Sequence, residues 1–362
     1  MKLNLSEHSR ITLVKYLISF ILTMVLGGLL VLVQGESPVE AVKAIVVGAF
    51  GSKINIGNSI RWSIPCMIAG AAATVAFRSG VMNLGLEGQI YFGAISGALA
   101  GAYVSLPHVP HVVICIVAAG LAGALYTLLP AFLRLFFKVD EMITTLMLNF
   151  VATLMTEYIT IWFIMGGNMS ANGSASIATP QISRTAELST IVKGTTANTG
   201  FFIGVTTLLL IAFFFKYTVQ GYSARQAGQN MSFAKVGGVN VLRNYISMFL
   251  VSGFIAGMCG GIEVSGSYHR FTANFSPNLG WEGMMVTRVA ENNPIALIFV
   301  SFIWGVLKAG SMHMERVTTL NRLTVNLIQM FFVILVSIDY DLLFRAAQEK
   351  FRKRREKKEV AL

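Results

Sequence analysis

The sequence predicts an all-α membrane protein with about ten transmembrane helices and both termini in the cytoplasm. Hydrophobic residues make up 54% of the 362 residues, charged residues only 12%, and the mean hydropathy is +0.66. A soluble domain carries about a quarter charged residues, so this chain has too few charges to cover a water-facing surface. Apolar stretches such as Leu13 to Gln34 reach the ~20 residues that one helical crossing needs. The pattern lacks the short alternating segments of a β-barrel.

Nine apolar stretches and one interrupted stretch give the ten predicted crossings. The first is too long for the core of a signal peptide, so we interpret it as a retained span. Nine crossings would place the two termini on opposite sides, which makes the interrupted stretch 279–291 the tenth. A short or broken crossing is tolerated when it is buried among helices or lines a watery cavity. We therefore expect broken or re-entrant helices near 78–90 and 279–294. The other predicted spans are 13–34, 60–77, 88–106, 112–133, 142–165, 200–217, 245–265, 295–311 and 324–341.

The distribution of charge assigns sides to the segments between spans. The net charge is +11, with basic residues concentrated in short loops and in the tail 345–362, as the positive-inside rule requires of cytoplasmic segments. The prediction is a single transmembrane domain over 1–344, a basic cytoplasmic tail, a cytoplasmic segment over 218–244 and an outward polar loop over 166–199. A tail that binds RNA or anionic lipid is the alternative interpretation of the basic run.

Small residues recur at every fourth position in two predicted spans. Such residues line one helix face and let a neighbouring backbone approach closely. We therefore predict helix packing at these positions, and one such helix in each half of the chain is typical of an internally repeated transporter plan. The glycines are Gly93, Gly97, Gly101, Gly253, Gly257 and Gly261.

The sequence carries no recognisable catalytic motif, so an enzyme is not predicted. No H-E-x-x-H, G-x-S-x-G or Walker A pattern occurs. Cys66, Cys115 and Cys259 lie in separate apolar segments, which predicts neither a disulfide framework nor a metal site. No cofactor is expected. Many spans without a catalytic group or an energy-coupling site indicate a pore subunit that a partner drives.

Ionisable residues inside spans would favour another class, an ion-coupled secondary transporter that works alone. The candidates are Glu157, Glu263, Glu282 and Glu291. Because most of them lie near predicted helix ends, we interpret them as interfacial or snorkelling side chains. A membrane scaffold or receptor that transports nothing is a third possibility.

The segment 218–244 is polar and patterned like a short exposed helix. Ser223 to Val236 can form one helix that ends at Gly237 and Gly238 by the usual glycine stop. Arg225, Gln226 and Asn230 would project from it. A helix of this kind, exposed between two spans, is one that a soluble motor domain could hold, and an ordinary surface helix is the alternative.

The stretch Val81 to Tyr91 places three polar side chains among glycines between two apolar segments. The glycines permit a tight non-helical turn, whose backbone groups then need partners. Asn83, Glu87 and Gln89 can supply those partners, which is the structural interpretation. The functional alternative is that they line a translocation path or its gate.

Four stretches of the chain resemble the inner-membrane permeases of bacterial ABC importers for simple sugars and nucleosides. They are Phe77 to Gln89, Val139 to Ala152, Gly221 to Val241 and Asn292 to Gly310. They occur in the family's order within residues 36–340.

The resemblance implies the parts of an importer that this chain lacks. ATP hydrolysis would take place on a separate ABC ATPase, and an extracytoplasmic lipoprotein or receptor would deliver a nucleoside or related sugar. The opening Gly35 to Ser52 resembles the longer of two paired permeases, which implies a second, different permease chain in the cytoplasmic membrane.

The resemblance also implies roles for particular residues. Asn83, Glu87, Gln89 and Asn149 would line the substrate pathway. The ATPase-coupling residues would be Gly221, Arg225, Gln226, Gly228, Asn230, Gly237 and Gly238.

This chain departs from the family pattern at several places, including the stretch His269 to Gly283, which is more polar than the family pattern. Two other departures concern charge. Gln229 stands where a glutamate is common, which makes the coupling contact less acidic. Arg288 and Glu291 replace small apolar residues, and their i, i+3 spacing predicts an ion pair.

Overall fold

The computed structural model of the chain describes residues 7–164, 177–276 and 278–338. This part is helical and contains no β-strand, only isolated bridges between Ala178 and Thr272 and between Thr190 and Asn198. The all-α class is confirmed. The helices are α1 (Glu7–Val33), α2 (Pro38–Phe50), α3 (Lys53–Arg78), α4 (Leu86–Tyr103), α5 (His108–Phe137), α6 (Glu141–Ile159), α7 (Gly200–Tyr217), α8 (Val219–Gln229), α9 (Met231–Val236), α10 (Val241–Glu263), α11 (Leu279–Val289), α12 (Pro294–Val317) and α13 (Arg322–Ser337).

Seven of the described helices are long and apolar enough to cross a membrane, with α6 and α10 extended by π-helical turns. These seven are α1, α3, α5, α6, α7, α10 and α12. Three further helices, α4, α11 and α13, coincide with predicted spans but fall outside those criteria. The count of ten crossings and the sides of the termini therefore stay predictions. The tail 345–362 and residues 165–176 of the polar loop lie outside the described residues.

The helix boundaries differ from the predicted ones where local caps act. α3 begins at Lys53, seven residues before the predicted start at 60, because the Ser52 side chain accepts a hydrogen bond from the Asn55 amide at 3.1 Å. α10 continues through a π-helical turn to Tyr268, and α12 continues to Val317 rather than 311. These extensions place residues that looked terminal well inside helices.

Residues 43–316 form one of two compact units. Within it α3 packs against α7, α10 and α11, while α4, α5 and α10 pack against one another. Gly93 of α4 meets the backbone of Gly257 in α10 so closely that a Cβ on Gly93 would overlap it. Gly97 lies against Gly261, although less tightly, and Gly253 packs on Thr127 of α5.

Gly101 is the exception among the six glycines. It contacts Ile182 and Ala186 of the loop 177–199 rather than another long helix. The same loop bonds to the end of α4, since the Ser183 amide donates to the Gly101 carbonyl at 2.8 Å.

The second unit comprises the described parts of residues 1–42 and 317–362. α1 and α13 pack together there, with Ile328 against Gly27. The Thr324 hydroxyl donates to the Gln34 side chain at 3.1 Å.

Candidate functional site

The expected break lies between α3 and α4, where residues 79–85 are not helical. Asn83 is fully buried in this stretch. Its amide donates to Gln89 Oε1 at 3.0 Å and to Ser252 Oγ at 2.9 Å. Its Oδ1 accepts from the Gly85 amide at 3.0 Å and from Gln89 Nε2 at 2.9 Å. Ser252 in turn donates to the Ala72 carbonyl of α3 at 2.9 Å. The side chains of Asn83 and Gln89 therefore hydrogen-bond to each other, and Asn83 also accepts a hydrogen bond from the backbone of the non-helical stretch.

Asn149 of α6 holds the same break from the other side. Its Oδ1 accepts from the Gly88 amide at 2.9 Å and its Nδ2 donates to the Leu84 carbonyl at 2.9 Å. Thr145, one turn earlier, accepts from the Leu84 amide at 3.2 Å. These bonds use the side-chain amide of Asn149 to fix the start of α4, and its contact with a substrate stays a prediction.

Glu87 joins the starts of two helices. Its Oε2 accepts from the Gly280 amide in the first turn of α11 at 2.6 Å, and its Oε1 accepts from the Ser276 hydroxyl. A carboxylate is stabilised at a helix N-terminus by the free amides and the helix dipole. α11 has 11 residues, roughly 16 Å of helix, about half of the ~30 Å hydrocarbon core. α4 and α11 thus begin side by side within the bundle.

Two ion pairs lie among the spans, and sequence analysis missed both. Arg61 of α3 contacts Glu263 of α10 at 2.7 Å, with side chains 8% and 2% exposed. Lys308 of α12 contacts Glu282 of α11 at 2.6 Å, with side chains 15% and 13% exposed. The interpretation of Glu263 and Glu282 as snorkelling side chains is wrong, because both carboxylates are held inside the helix bundle by cations.

An aromatic ring connects the two ion pairs. The centroid of the Trp62 indole lies 4.0 Å from Arg61 Cζ and 4.3 Å from Lys308 Nζ. Cys66, near the middle of α3, donates to Glu282 at 3.6 Å, so the second pair lies at the middle of the span. Trp281, next to Glu282, is 38% exposed. We use the name open polar face for the partly exposed Glu282–Lys308 pair together with Trp281, the residue before Glu282 in α11.

The segment 218–244 contains two helices instead of the single predicted one. α8 stops at Gln229 and α9 starts at Met231, because the Asn230 side chain accepts from the Phe233 amide at 3.0 Å and caps α9. Asn230 is thus a cap rather than a residue projecting from a continuous helix. The predicted end is correct, since α9 stops at Val236 and Gly238 adopts φ +82°.

α8 lies directly on the break between α3 and α4. Gly228 meets the Arg78 carbonyl so closely that a Cβ would overlap it, and Gly80, with φ +75°, meets the Gly228 backbone. Gly221 approaches the Phe214 carbonyl at the end of α7 equally closely. We call the end of the bundle formed by α8, α9, the end of α3 and the start of α12 the coupling end. A displacement of α8 would therefore also move the backbone of residues 78–80 at the break.

The remaining predicted features have a mixed outcome. Cys66, Cys115 and Cys259 are free and buried. The described residues contain no group of three His, Cys, Asp or Glu side chains that could hold a metal ion. Arg288 lies in the last turn of α11 and Glu291 in the turn that follows, and their pairing stays a prediction.

Comparison with known proteins places the chain in a family. Residues 55–337 match the model described as the branched-chain amino acid transport system permease component. The guanosine ABC transporter permease protein NupP of Bacillus subtilis is 26% identical over 333 residues, covering 91% of this chain and 94% of the relative. The nucleoside ABC transporter permease protein NupB of Lactococcus lactis is 25% identical, covering 83% and 84%.

A third relative, the glucose ABC transporter permease protein TsgB13 of Haloferax volcanii, is 26% identical over 81% of this chain and 78% of its own length. No solved structure matches the chain significantly. The chain therefore belongs to the branched-chain amino acid transport system permease component family and is a multi-pass ABC transporter permease of the cytoplasmic membrane.

Proposed function

We propose that this chain forms half of the translocation pathway of an ATP-driven importer for nucleosides or related simple sugars. A separate ABC ATPase, a second, homologous but different permease and an extracytoplasmic substrate-binding lipoprotein complete the importer. The names of the relatives NupP and NupB support a nucleoside as the substrate, and the name of TsgB13 supports a sugar. Both termini and the coupling end face the cytoplasm, with α4, α11 and α13 completing ten crossings.

The contact of α8 with the broken backbone carries this proposal. Gly228 and Gly80 bring α8 against residues 78–80 without intervening side chains. Beyond them, Asn83 and Glu87 hold the starts of α4 and α11. An ATPase that moves α8 would therefore act on the mid-membrane helix ends through main-chain contacts.

We assign the substrate path to the open polar face. The hydrogen bonds of Asn83, Gln89 and Asn149 support a structural role for these three, while Glu87 borders the start of α11 beside the path. The Glu282 carboxylate and the Lys308 ammonium group lie beside the Trp62 indole. These groups suit a neutral solute that carries hydroxyls and a ring. The two charges cancel, which favours uncharged nucleosides and sugars over nucleotides.

An ion-coupled secondary transporter remains the second candidate, because Glu87, Glu263 and Glu282 are carboxylates deep in the bundle. The ABC permease family favours the first candidate. Uptake into proteoliposomes distinguishes them. We expect labelled guanosine or uridine to enter only with the ATPase, ATP and the receptor present. Uptake driven by a proton or sodium gradient through this chain without an ATPase would contradict the ABC proposal.

A further inference from the structure

A cavity of about 400 Å³ opens at the coupling end. Three segments form its walls: the end of α3 with Arg78, the end of α8 with Arg225 and Gln229, and the turn between α11 and α12 with Glu291 and Asn292. Gln229 is exposed at its rim. The cavity therefore lies beside the surface that the proposed function gives to the ATPase, and it touches the turn that ends α11.

The two arginines of this cavity have few hydrogen-bond partners among the described residues. Arg225 Nε is buried and has no hydrogen-bond partner among the described residues. Arg78 donates a long hydrogen bond of 3.5 Å to the Asn292 carbonyl, and its Cζ lies 5.0 Å from the centroid of Phe215. Buried polar groups are normally hydrogen-bonded, so unsatisfied ones call for an absent partner.

The charges of the cavity define what that partner carries. Two guanidinium groups line it, and Glu291 is the one carboxylate among its lining residues. The local excess is one positive charge. A guanidinium group binds a carboxylate with two parallel hydrogen bonds, which makes an acidic side chain the matching ligand.

We propose that an aspartate or glutamate side chain of the ABC ATPase enters this cavity and binds Arg78 and Arg225. This inference rests on the proposed function. It also explains Gln229: a glutamate there would bring a second negative charge to the rim and repel the incoming carboxylate.

An acidic side chain in this place would contact α8 and the α11–α12 turn at once. α11 runs from that turn to Gly280, whose amide is bound by Glu87. The ATPase would then be connected to the break at residues 78–80 through Gly228. It would be connected to the end of α11 through Arg78, which donates to the Asn292 carbonyl.

The test is the affinity of the purified ATPase for the permease pair in nanodiscs of phosphatidylcholine. Arg225→Glu is expected to lower the affinity about 30-fold or more, because a buried charge pair is replaced by repulsion. Gln229→Glu, at an exposed position that should not impair folding, is expected to lower it about threefold to tenfold. Lys138→Glu is the matched control: it reverses an exposed cation that follows α5, outside α8, α9 and this cavity, and less than a threefold change is expected there.

Further outcomes separate this inference from the proposed function. Rescue of Arg225→Glu by an acid-to-lysine substitution in the ATPase would identify the bound side chain. Equal losses for Arg225→Glu and Lys138→Glu, or tighter binding by Gln229→Glu, would overturn the cavity as the docking site without contradicting the proposed importer. An Arg225→Glu effect that appears only with anionic lipid would assign the cavity to a lipid headgroup and overturn the inference. Failure of the unmodified permease pair to bind any ABC ATPase would overturn both.

Discussion

The two ion pairs of the bundle have the same chemistry and opposite surroundings. Arg61–Glu263 and Lys308–Glu282 have similar separations, 2.7 and 2.6 Å, and both cations lie over the ring of Trp62. The first pair is enclosed, with the Glu263 side chain only 2% exposed, whereas both side chains of the second are partly open. Burial, not pairing, distinguishes them.

The difference in burial separates a pair that ties two helices together from a pair that we propose to lie on the substrate path. Charges at the middle of a membrane are costly and usually face the bundle interior or a water-filled cavity. The enclosed pair ties α3 to α10, and its side chains are only 8% and 2% exposed. The open pair needs water or a polar partner on its exposed side, which agrees with a passage along the open polar face.

The largest expected effect comes from breaking the enclosed pair. Glu263→Gln leaves the Arg61 charge buried without a counterion and should lower the stability by about 3–5 kcal/mol. The matched change Glu282→Gln should cost clearly less, because the Lys308 side chain is partly exposed. Thermal unfolding midpoints of the detergent-purified variants check this order. Equal midpoints would show that the two ion pairs contribute equally to stability.

The open pair should instead control transport. Glu282→Gln combined with Lys308→Gln removes both charges while keeping polar side chains, and it leaves no unpaired ion. We expect ATP-driven uptake to fall at least about tenfold, which corresponds to ~1.4 kcal/mol of barrier. Assembly with the ATPase should be retained, as measured by co-purification. Normal uptake by the double variant would remove the open polar face from the path.

The smallest effect concerns the indole between the pairs. Trp62→Leu removes an aromatic face from two cations and should lower the stability by roughly 1 kcal/mol, while Trp62→Phe should retain most of it. Comparison of the unfolding midpoints of the two variants tests the contribution of the ring. A Trp62→Phe variant as unstable as Trp62→Leu would mean that the size of the indole matters and its attraction for cations does not.

More of the fold than of the candidate site was predictable from the sequence. Apolar stretches located every long helix, and the glycines at 80 and 85 indicated the break. Asn230 carried a detectable signal for the interruption of the coupling segment, since asparagine three residues before a helical amide is a common N-cap.

The ion pairs were not predictable in the same way. Arg61 and Glu263 are 202 positions apart, and their contact depends on the crossing of α3 and α10. Glu263 was predicted to lie near a helix end, because the hydropathy pattern does not reveal the π-helical turn that extends α10 to Tyr268. Lys308 lies near the predicted end of its span at 311, whereas α12 continues beyond it to Val317.

Thiol labelling tests the passage along the open polar face most directly. Trp281→Cys is compared with Leu209→Cys, an exposed position on the apolar helix α7, with the three buried native cysteines replaced by alanine. In the assembled importer, a charged, membrane-impermeant thiol reagent should modify position 281, more slowly when substrate and ATP are supplied, and should leave position 209 unmodified. Protection of position 281 equal to that of position 209 in every state would contradict a water-filled path at this face.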